Sequence, residues 1–158
     1  MTIAQWLHYG ILGMQTDMRI ALRSDPKLMR SMRGLIRAHF AQLGFGEEKI
    51  ADVVLAEDEA GANAIRHSYE GRTGEILELE LRSNAAWVEV VLEDKGLPAP
   101  PEKLRARELK PLSLEDLQPH GLGVQLIRMV FDEAIFEPGA KQGNRTTLRL
   151  RLPETGKD

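Results

Sequence analysis

Two alternating runs constrain this chain more than anything else in it: Glu75 to Arg82, EILELELR, and Ala86 to Glu93, AWVEVVLE. Apolar and polar residues trade places at nearly every step, the period of a strand that keeps one face dry. Ser83-Asn84-Ala85 between them has the length and chemistry of a hairpin loop. Ile76, Leu77, Leu79, Leu81, Val88, Val90 and Leu92 then supply an apolar face. A two-stranded hairpin cannot bury such a face by itself. Something must cover it, and the flanking sequence offers helices.

Met18 to Arg23, MRIALR, alternates and reads as another strand. Ser24-Asp25-Pro26 is a helix start, with Ser24 or Asp25 as the cap and Pro26 at the first helical position. The helix it opens runs from about Pro26 to Leu43, with Leu28, Met32, Leu35, Ile36 and Phe40 at helical spacing. Gly44-Phe45-Gly46 ends it. A second helix spans Glu47 to about Tyr69, and Val53, Val54, Ala56, Ala60, Ala64 and Ile65 make the small, apolar side suited to packing on a sheet. After the hairpin, residues 97 to about 120 are rich in proline and charge. Their length suits a functional lid or a linker better than a simple connection. Lys103, Arg105, Arg107 and Lys110 in that stretch either approach a polyphosphate or belong to a solvated loop.

A third helix follows from Gly121-Leu122-Gly123 to about Phe131, with Leu122, Leu126, Ile127 and Val130 apolar. Glu133 to Phe136, a turn from Pro138-Gly139 to Asn144, and a strand from Thr146 to Leu152 complete the domain, which spans residues 18 to 153. Residues 1 to 17 show no clear period and receive no role; Trp6 and Tyr9 there suit packing on the domain or an interface. Residues 154 to 158 read as a tail. The expected fold class is α+β: a two-layer sandwich with a mixed, mostly antiparallel sheet covered on one face by helices.

A chain of 158 residues fits one domain. Cysteine is absent, which removes disulfides, thiolate metal sites and a thiol nucleophile. A formal net charge of -3 argues against general nucleic-acid or anionic-membrane binding. With no apolar run of membrane-spanning length and no basic-then-apolar leader, a soluble cytoplasmic protein is expected.

The residues that can carry chemistry lie at the element ends. Glu59, Asn63 and His67 are four apart, so a helix stacks them along one face. A carboxylate and a carboxamide one turn apart can share a cavity, and Mg²⁺ takes such oxygens together with waters and substrate phosphates; a solvated polar stripe has the same pattern. Asp94, at a strand end, has Gly96 two residues on. The acid can accept a hydrogen bond from a ligand amine while the glycine admits close backbone approach, though Asp and Gly are also ordinary turn residues. Gly121 and Gly123 open a helix whose N–H groups can hold an anion, or they form a flexible loop end. His39, alone on its helix, reads as structural or solvated rather than as a phosphoacceptor.

The order of these signals is more telling than any one of them: E-x-x-x-N on a helix, D-x-G after a strand, a long lid, G-x-G at a helix start, and a threonine-led last strand. In that order the chain resembles the ATP-binding domain of the GHKL superfamily, from about residue 18 to 153. Glu59 to Asn63 is similar to its N box, Asp94-Lys95-Gly96 to its first glycine box, and Gly121-Leu122-Gly123 to its second. Thr146 is similar to the start of its last motif. Within the superfamily the chain most resembles the bacterial anti-sigma-factor serine kinases. The carriers are the SDP-led first helix, LGFGEEKI, the text E-A-x-x-N-A-I-x-H-S-Y, and GLGVQLIRMVFDE after the lid. Pro98 stands where the fuller D-x-G-x-G pattern has its second glycine.

The resemblance implies ATP and Mg²⁺ as cofactors. Asp94 would hydrogen-bond the adenine amino group, with Gly96 making room. Asn63 would coordinate Mg²⁺. Gly121, Leu122 and Gly123 would hold the phosphates, and Thr146 would sit near the adenine-side network. Glu59 would orient the attacking hydroxyl and accept its proton, while His67 would line the phosphate side and Arg66 would meet a partner or solvent. The activity implied is that of a serine/threonine protein kinase and anti-sigma factor. It would phosphorylate a STAS-type anti-anti-sigma partner, bind a sigma factor, and act as a homodimer. A nucleotide-gated module that sequesters its target without catalysis is the alternative, motivated by Pro98 and the lid.

Overall fold

The computed structural model describes residues 13–100, 123–139 and 143–154. Five strands form one sheet: β1 (Gln15–Arg23), β2 (Ile76–Ser83), β3 (Trp87–Asp94), β4 (Glu133–Pro138) and β5 (Asn144–Arg151), in the order β1-β2-β3-β5-β4. Each of the four pairings is antiparallel. Three helices, α1 (Met29–Gln42), α2 (Glu47–Asn63) and α3 (Gly123–Val130), cover one face, with α2 packed against both of the others.

The alternating runs become β2 and β3, in register Leu79 to Leu92 and Leu81 to Val90. Their inward residues Leu77, Leu79, Leu81, Val88 and Val90 are buried. Ile76 is an exception to its expected place. It pairs with Arg23 and is 42% exposed, because the strand's period puts it on the opposite face from Leu77. β1 begins at Gln15, three residues ahead of the alternating MRIALR, and a register shift at Asp17 marks a bulge. The bulge turns Asp17 so that it accepts from Ser83 Oγ at 2.6 Å and lies 3.4 Å from Nε2 of His39. His39 is therefore buried and structural, and burial holds its pKa below the usual histidine value.

The first helix opens with a 3₁₀ turn, Pro26–Leu28, rather than an α turn. Asp25 caps it by accepting from the Lys27 N–H at 2.9 Å. Met29, Met32, Ile36 and Phe40 then recur every three or four residues on the buried side. Gly44, at φ 89°, ends α1 in a Schellman arrangement. Phe45 N–H reaches the Phe40 carbonyl at 3.2 Å and Gly44 N–H the Ala41 carbonyl at 3.1 Å. The Phe40 and Phe45 rings meet at a tilt of 47°, their centroids 5.1 Å apart.

In α2 the expected small face is the packed one: Val53, Val54, Ala56, Ala60, Ala64 and Ile65 are all buried. The helix does not remain α to Tyr69. Ala64–Ser68 form a π turn, closed by Tyr69 N–H on the Ala64 carbonyl at 3.1 Å. At the other end, Lys49 Nζ donates to the Val130 carbonyl at 2.7 Å, supplying a cation to the C-terminus of α3.

The sheet face away from the helices is held by charge. Arg19, Glu80, Arg82, Glu89, Arg149 and Glu133 follow one another across all five strands with alternating sign. Glu89, fully buried, takes Arg149 Nε at 2.5 Å and Arg82 Nη1 at 3.2 Å.

Candidate functional site

Two groups of polar residues lie along the C-terminal half of α2 and its π turn. The first is Glu59 and Asn63, one α-helical turn apart. The start of α3 is pressed against them: a Cβ on Gly123 would come within 2.8 Å of Asn63 Nδ2 and 3.3 Å of Glu59 Oε2. Any larger residue there would push these two side-chain ends aside. The positive end of α3 thus meets a carboxylate, the favourable pairing for a helix N-terminus. Gly121 and Leu122, the other expected phosphate contacts, lie outside the described residues, as do residues 101–120 of the expected lid.

Arg66 lies over this group. Its Nη2 donates to Asn63 Oδ1 at 3.2 Å and sits 3.9 Å from Glu59 Oε2, while Nε reaches the Ala62 carbonyl at 3.4 Å. Both ends of the Arg66–Glu59 pair are more than a third exposed, so it adds little to stability. Its interest is positional: it engages the two side chains that the resemblance assigns to metal and proton transfer. Arg66, expected to meet a partner or solvent, is exposed and also touches both of these side chains. His67 is exposed, and Ser68, at the end of the π turn, is turned inward.

The second group centres on Asp94, which is 8% exposed. Its Oδ1 accepts from the Gly96 N–H at 3.0 Å and from Asn144 Nδ2 at 2.9 Å, and its Oδ2 accepts from Ser68 Oγ at 3.0 Å. The antiparallel register sets Asn144 directly across from Asp94. Gly96 passes so close to α2 that a Cβ there would run into the Ser68 carbonyl and side chain, and a Cβ on Gly143 would run into the Asp94 backbone. Tyr69, 1% exposed, pins the same corner: its hydroxyl donates to the Ile76 carbonyl at 2.5 Å and accepts from the Lys95 N–H at 2.7 Å.

Glu59, Asn63 and Gly123 therefore come together, and Asp94 and Gly96 come together five residues further along the same helix. Thr146 lies across from Leu92 and Phe136, half-buried, two residues beyond Asn144 on the helix-covered face. Ser68, Tyr69, Gly143 and Asn144 carry no individual signal in the sequence. Ser68 sits within the H-S-Y text and Asn144 closes a turn, but which of them faces Asp94 depends on the π turn and the β3–β5 register. Glu57 is a contrasting acid. Two residues before Glu59, it is fully buried with neither carboxylate oxygen bonded, and burial pushes its pKa up to about 8.

Among the described residues no group of three His, Cys, Asp or Glu could hold a metal, and no helix is long and apolar enough to cross a membrane. Comparison with known proteins agrees with the geometry. The family model described as a histidine kinase-like ATPase domain matches residues 22–151. An anti-sigma F factor of Clostridium botulinum is 28% identical over 124 residues, covering 76% of this chain and 83% of that one. The serine-protein kinase RsbW of Bacillus pumilus is 28% identical over 116 residues, covering 70% and 71%. The crystal structure of the RsbU and RsbW domains of Rv1364c from Mycobacterium tuberculosis superposes with a TM-score of 0.57 at 23% identity. That match covers 85% of this chain and 32% of the longer one, and it shows a shared fold. With the family model spanning most of its length, the chain belongs to the histidine kinase-like ATPase domain family.

Proposed function

We propose that this protein is a Mg-ATP-dependent serine/threonine protein kinase and anti-sigma factor, which phosphorylates a STAS-type anti-anti-sigma partner. The observation that carries the reading is the meeting of Glu59 and Asn63 with the backbone of Gly123, together with a buried, strand-end Asp94 held by Ser68 five residues further along the same helix. The names of the relatives, an anti-sigma F factor and a serine-protein kinase, support it.

The donor set fits the nucleotide. Asn63 offers one carboxamide oxygen, enough for a Mg²⁺ whose other ligands are phosphates and water. Bound there, the ion would neutralise charge on the phosphates during transfer. The N-terminus of α3 faces the same place, and Gly121 and Leu122 are proposed as further phosphate contacts. Asp94 and Gly96 would take the adenine, with Thr146 near them. Glu59 is the proposed base: the partner's serine or threonine oxygen bonds to the γ-phosphorus, the bond to the β,γ-bridging oxygen breaks, ADP leaves, and the hydroxyl proton passes to the Glu59 carboxylate. Positioning and charge compensation supply most of the catalysis in such transfers. A cytoplasmic location, a homodimer and capture of a sigma factor belong to the same reading.

Incubation with Mg-ATP and the cognate STAS protein tests it. Wild type is expected to transfer phosphate, while Glu59→Gln binds ATP but transfers roughly a hundredfold more slowly or worse, as loss of a general base does. Failure of wild type to transfer, or undiminished transfer by Glu59→Gln, ends the kinase reading. Pro98 in the glycine box and the Arg66 contact on Asn63 favour one second reading, a nucleotide-gated sequestering module. ATP-dependent capture of a partner with no phosphoserine in its mass spectrum supports that one instead.

A further inference from the structure

The two polar groups along α2 give the proposed ligand a direction. With the adenine at Ser68 and Asp94 and the phosphates at Asn63 and Glu59, the nucleotide runs from the C-terminal end of the helix toward its N-terminal half. In-line transfer puts the acceptor hydroxyl on the far side of the γ-phosphate from the leaving oxygen. The partner must therefore come in over the part of α2 that precedes Glu59. Glu59 is itself open to solvent, its side chain 41% exposed. One turn before it, about 6 Å along the axis, stands Leu55, on the same face of the helix and 53% exposed. The core does not use it: α2 packs through Val53, Val54, Ala56 and Ala60. α3 runs beside this stretch, from its start at Glu59 and Asn63 to the Val130 carbonyl that Lys49 holds. Met129, next to that carbonyl, is 69% exposed. Among the described residues, Leu55 and Met129 are the large apolar side chains that the helices leave exposed. The same stretch is acidic. Glu48 and Asp52, on the Leu55 side of α2, are exposed, while Lys49 is engaged by α3.

We propose that Leu55 and Met129, flanked by Glu48 and Asp52, are the docking surface for the phosphoacceptor protein, which presents an apolar side chain and a basic residue beside its serine or threonine. This surface rests on the proposed kinase reading and adds the partner's footprint to it. An exposed leucine is ordinary in itself; its position is what singles this one out. Leu55 adjoins the proposed base on the side where the nucleotide ends, so a partner whose hydroxyl reaches Glu59 must cover it. Burial of the two apolar side chains would hold the partner, and the acids would draw a basic one in. Leu55 also lies one turn away from the groups proposed to hold the nucleotide, which separates docking from chemistry.

Steady-state transfer from Mg-ATP to the cognate STAS protein tests this. Leu55→Asp should raise the KM for the partner by about tenfold or more, the scale of a central interface contact. It should leave kcat within about threefold, and ATP affinity by calorimetry within about twofold, of wild type. Asp52→Lys should raise the same KM by about threefold to tenfold at low salt and by less at high salt, because a rim charge acts through a screened attraction. A side chain with only a structural role would move kcat and ATP affinity along with KM. An unchanged KM in Leu55→Asp, with wild type active, overturns the docking surface and leaves the kinase reading intact. So does a loss of ATP affinity that matches the rise in KM, since Leu55 would then serve the nucleotide. Absence of transfer by wild type overturns the kinase reading and the docking surface with it. If circular dichroism finds Leu55→Asp unfolded, Met129→Asp decides: a KM raised by about threefold or more supports the proposal, and an unmoved KM overturns it.

Discussion

Gly96 lies directly against Ser68, so close that any side chain on Gly96 would overlap the Ser68 carbonyl. The contact joins the end of β3 to the π turn of α2, and Leu97 N–H reinforces it by donating to that carbonyl at 2.8 Å. Backbone on both sides leaves nothing flexible to yield. Gly96→Ala is therefore expected to lower stability by about 1–3 kcal/mol, the cost of overpacking, and to weaken ATP binding by displacing Asp94. Gly74→Ala, with nothing within 4 Å of the new methyl, is the silent control. Chemical denaturation and calorimetry on the pair check this; equal behaviour of the two variants would remove Gly96 from the site.

The Arg66 guanidinium holds Asn63 Oδ1, the oxygen proposed for Mg²⁺. Metal and arginine then compete for one lone-pair donor. Arg66→Ala should lower the Mg²⁺ concentration needed for half-maximal nucleotide binding by about two- to fivefold, the scale of one exposed charge-assisted contact. A Mg²⁺ titration of nucleotide binding reads this directly. A higher metal requirement in the variant would show that Arg66 assists the phosphates rather than guarding the oxygen.

Glu57 gives a pH dependence of defined sign. Its carboxyl is buried without partners and its pKa stands at about 8 in the fold, against an ordinary value of 4.5. Between these values the unfolded chain has released the proton and the native one still holds it. The contribution of this group to stability is thus fully present below pH 4.5, falls as pH rises through that window, and levels off above 8. Glu57→Leu, close in volume, should raise the thermal midpoint and do so more at pH 8 than at pH 5. At pH 8 the gain is on the order of a few kcal/mol. Differential scanning calorimetry of the two proteins across that range is the check, and parallel pH profiles would refute it.

The charge chain on the uncovered sheet face yields a prediction that involves no ligand. Glu89 is buried between Arg82 and Arg149. Glu89→Ala removes the acid that Arg82 and Arg149 share, leaving each with one carboxylate partner, Glu80 and Glu133, and should cost about 1.5–3 kcal/mol. Arg19→Ala, at the exposed end of the chain, should cost less than about 1 kcal/mol. Urea denaturation distinguishes them, and comparable losses would mean that the chain is no stronger at its buried centre than at its rim.

The fold was legible where a periodic pattern met an unambiguous stop. The runs 75–82 and 86–93 alternate cleanly, and Gly44 and Asp25 mark helix ends by mechanisms that sequence reveals. Glu59, Asn63, Asp94 and the glycine at 123 could be found because each stands at a fixed offset from an element boundary. Ser68 and Asn144 could not. The sequence contains no sign that the helix widens after Asn63, and the uniform four-residue spacing to His67 points the other way. Asn144 reaches Asp94 only through the register of β3 on β5, strands 50 residues apart in the chain. Glu57 escaped notice because burying an unpaired acid on a small-residue helix face runs against ordinary polarity rules.

The widened turn at Ala64–Ser68 has a consequence for the spacing of the two polar groups. Since Asn63 and Ser68 belong to one continuous helix, the span between the proposed metal end and the base end is a count of residues, with no joint between them. Deleting a single residue from the α-helical stretch just before it, such as Ala62, would rotate everything after it by about 100°, so that Ser68 and Tyr69 would leave Asp94 together while Glu59 stayed in place. The spacing of the two polar groups is thereby set by the backbone of one helix.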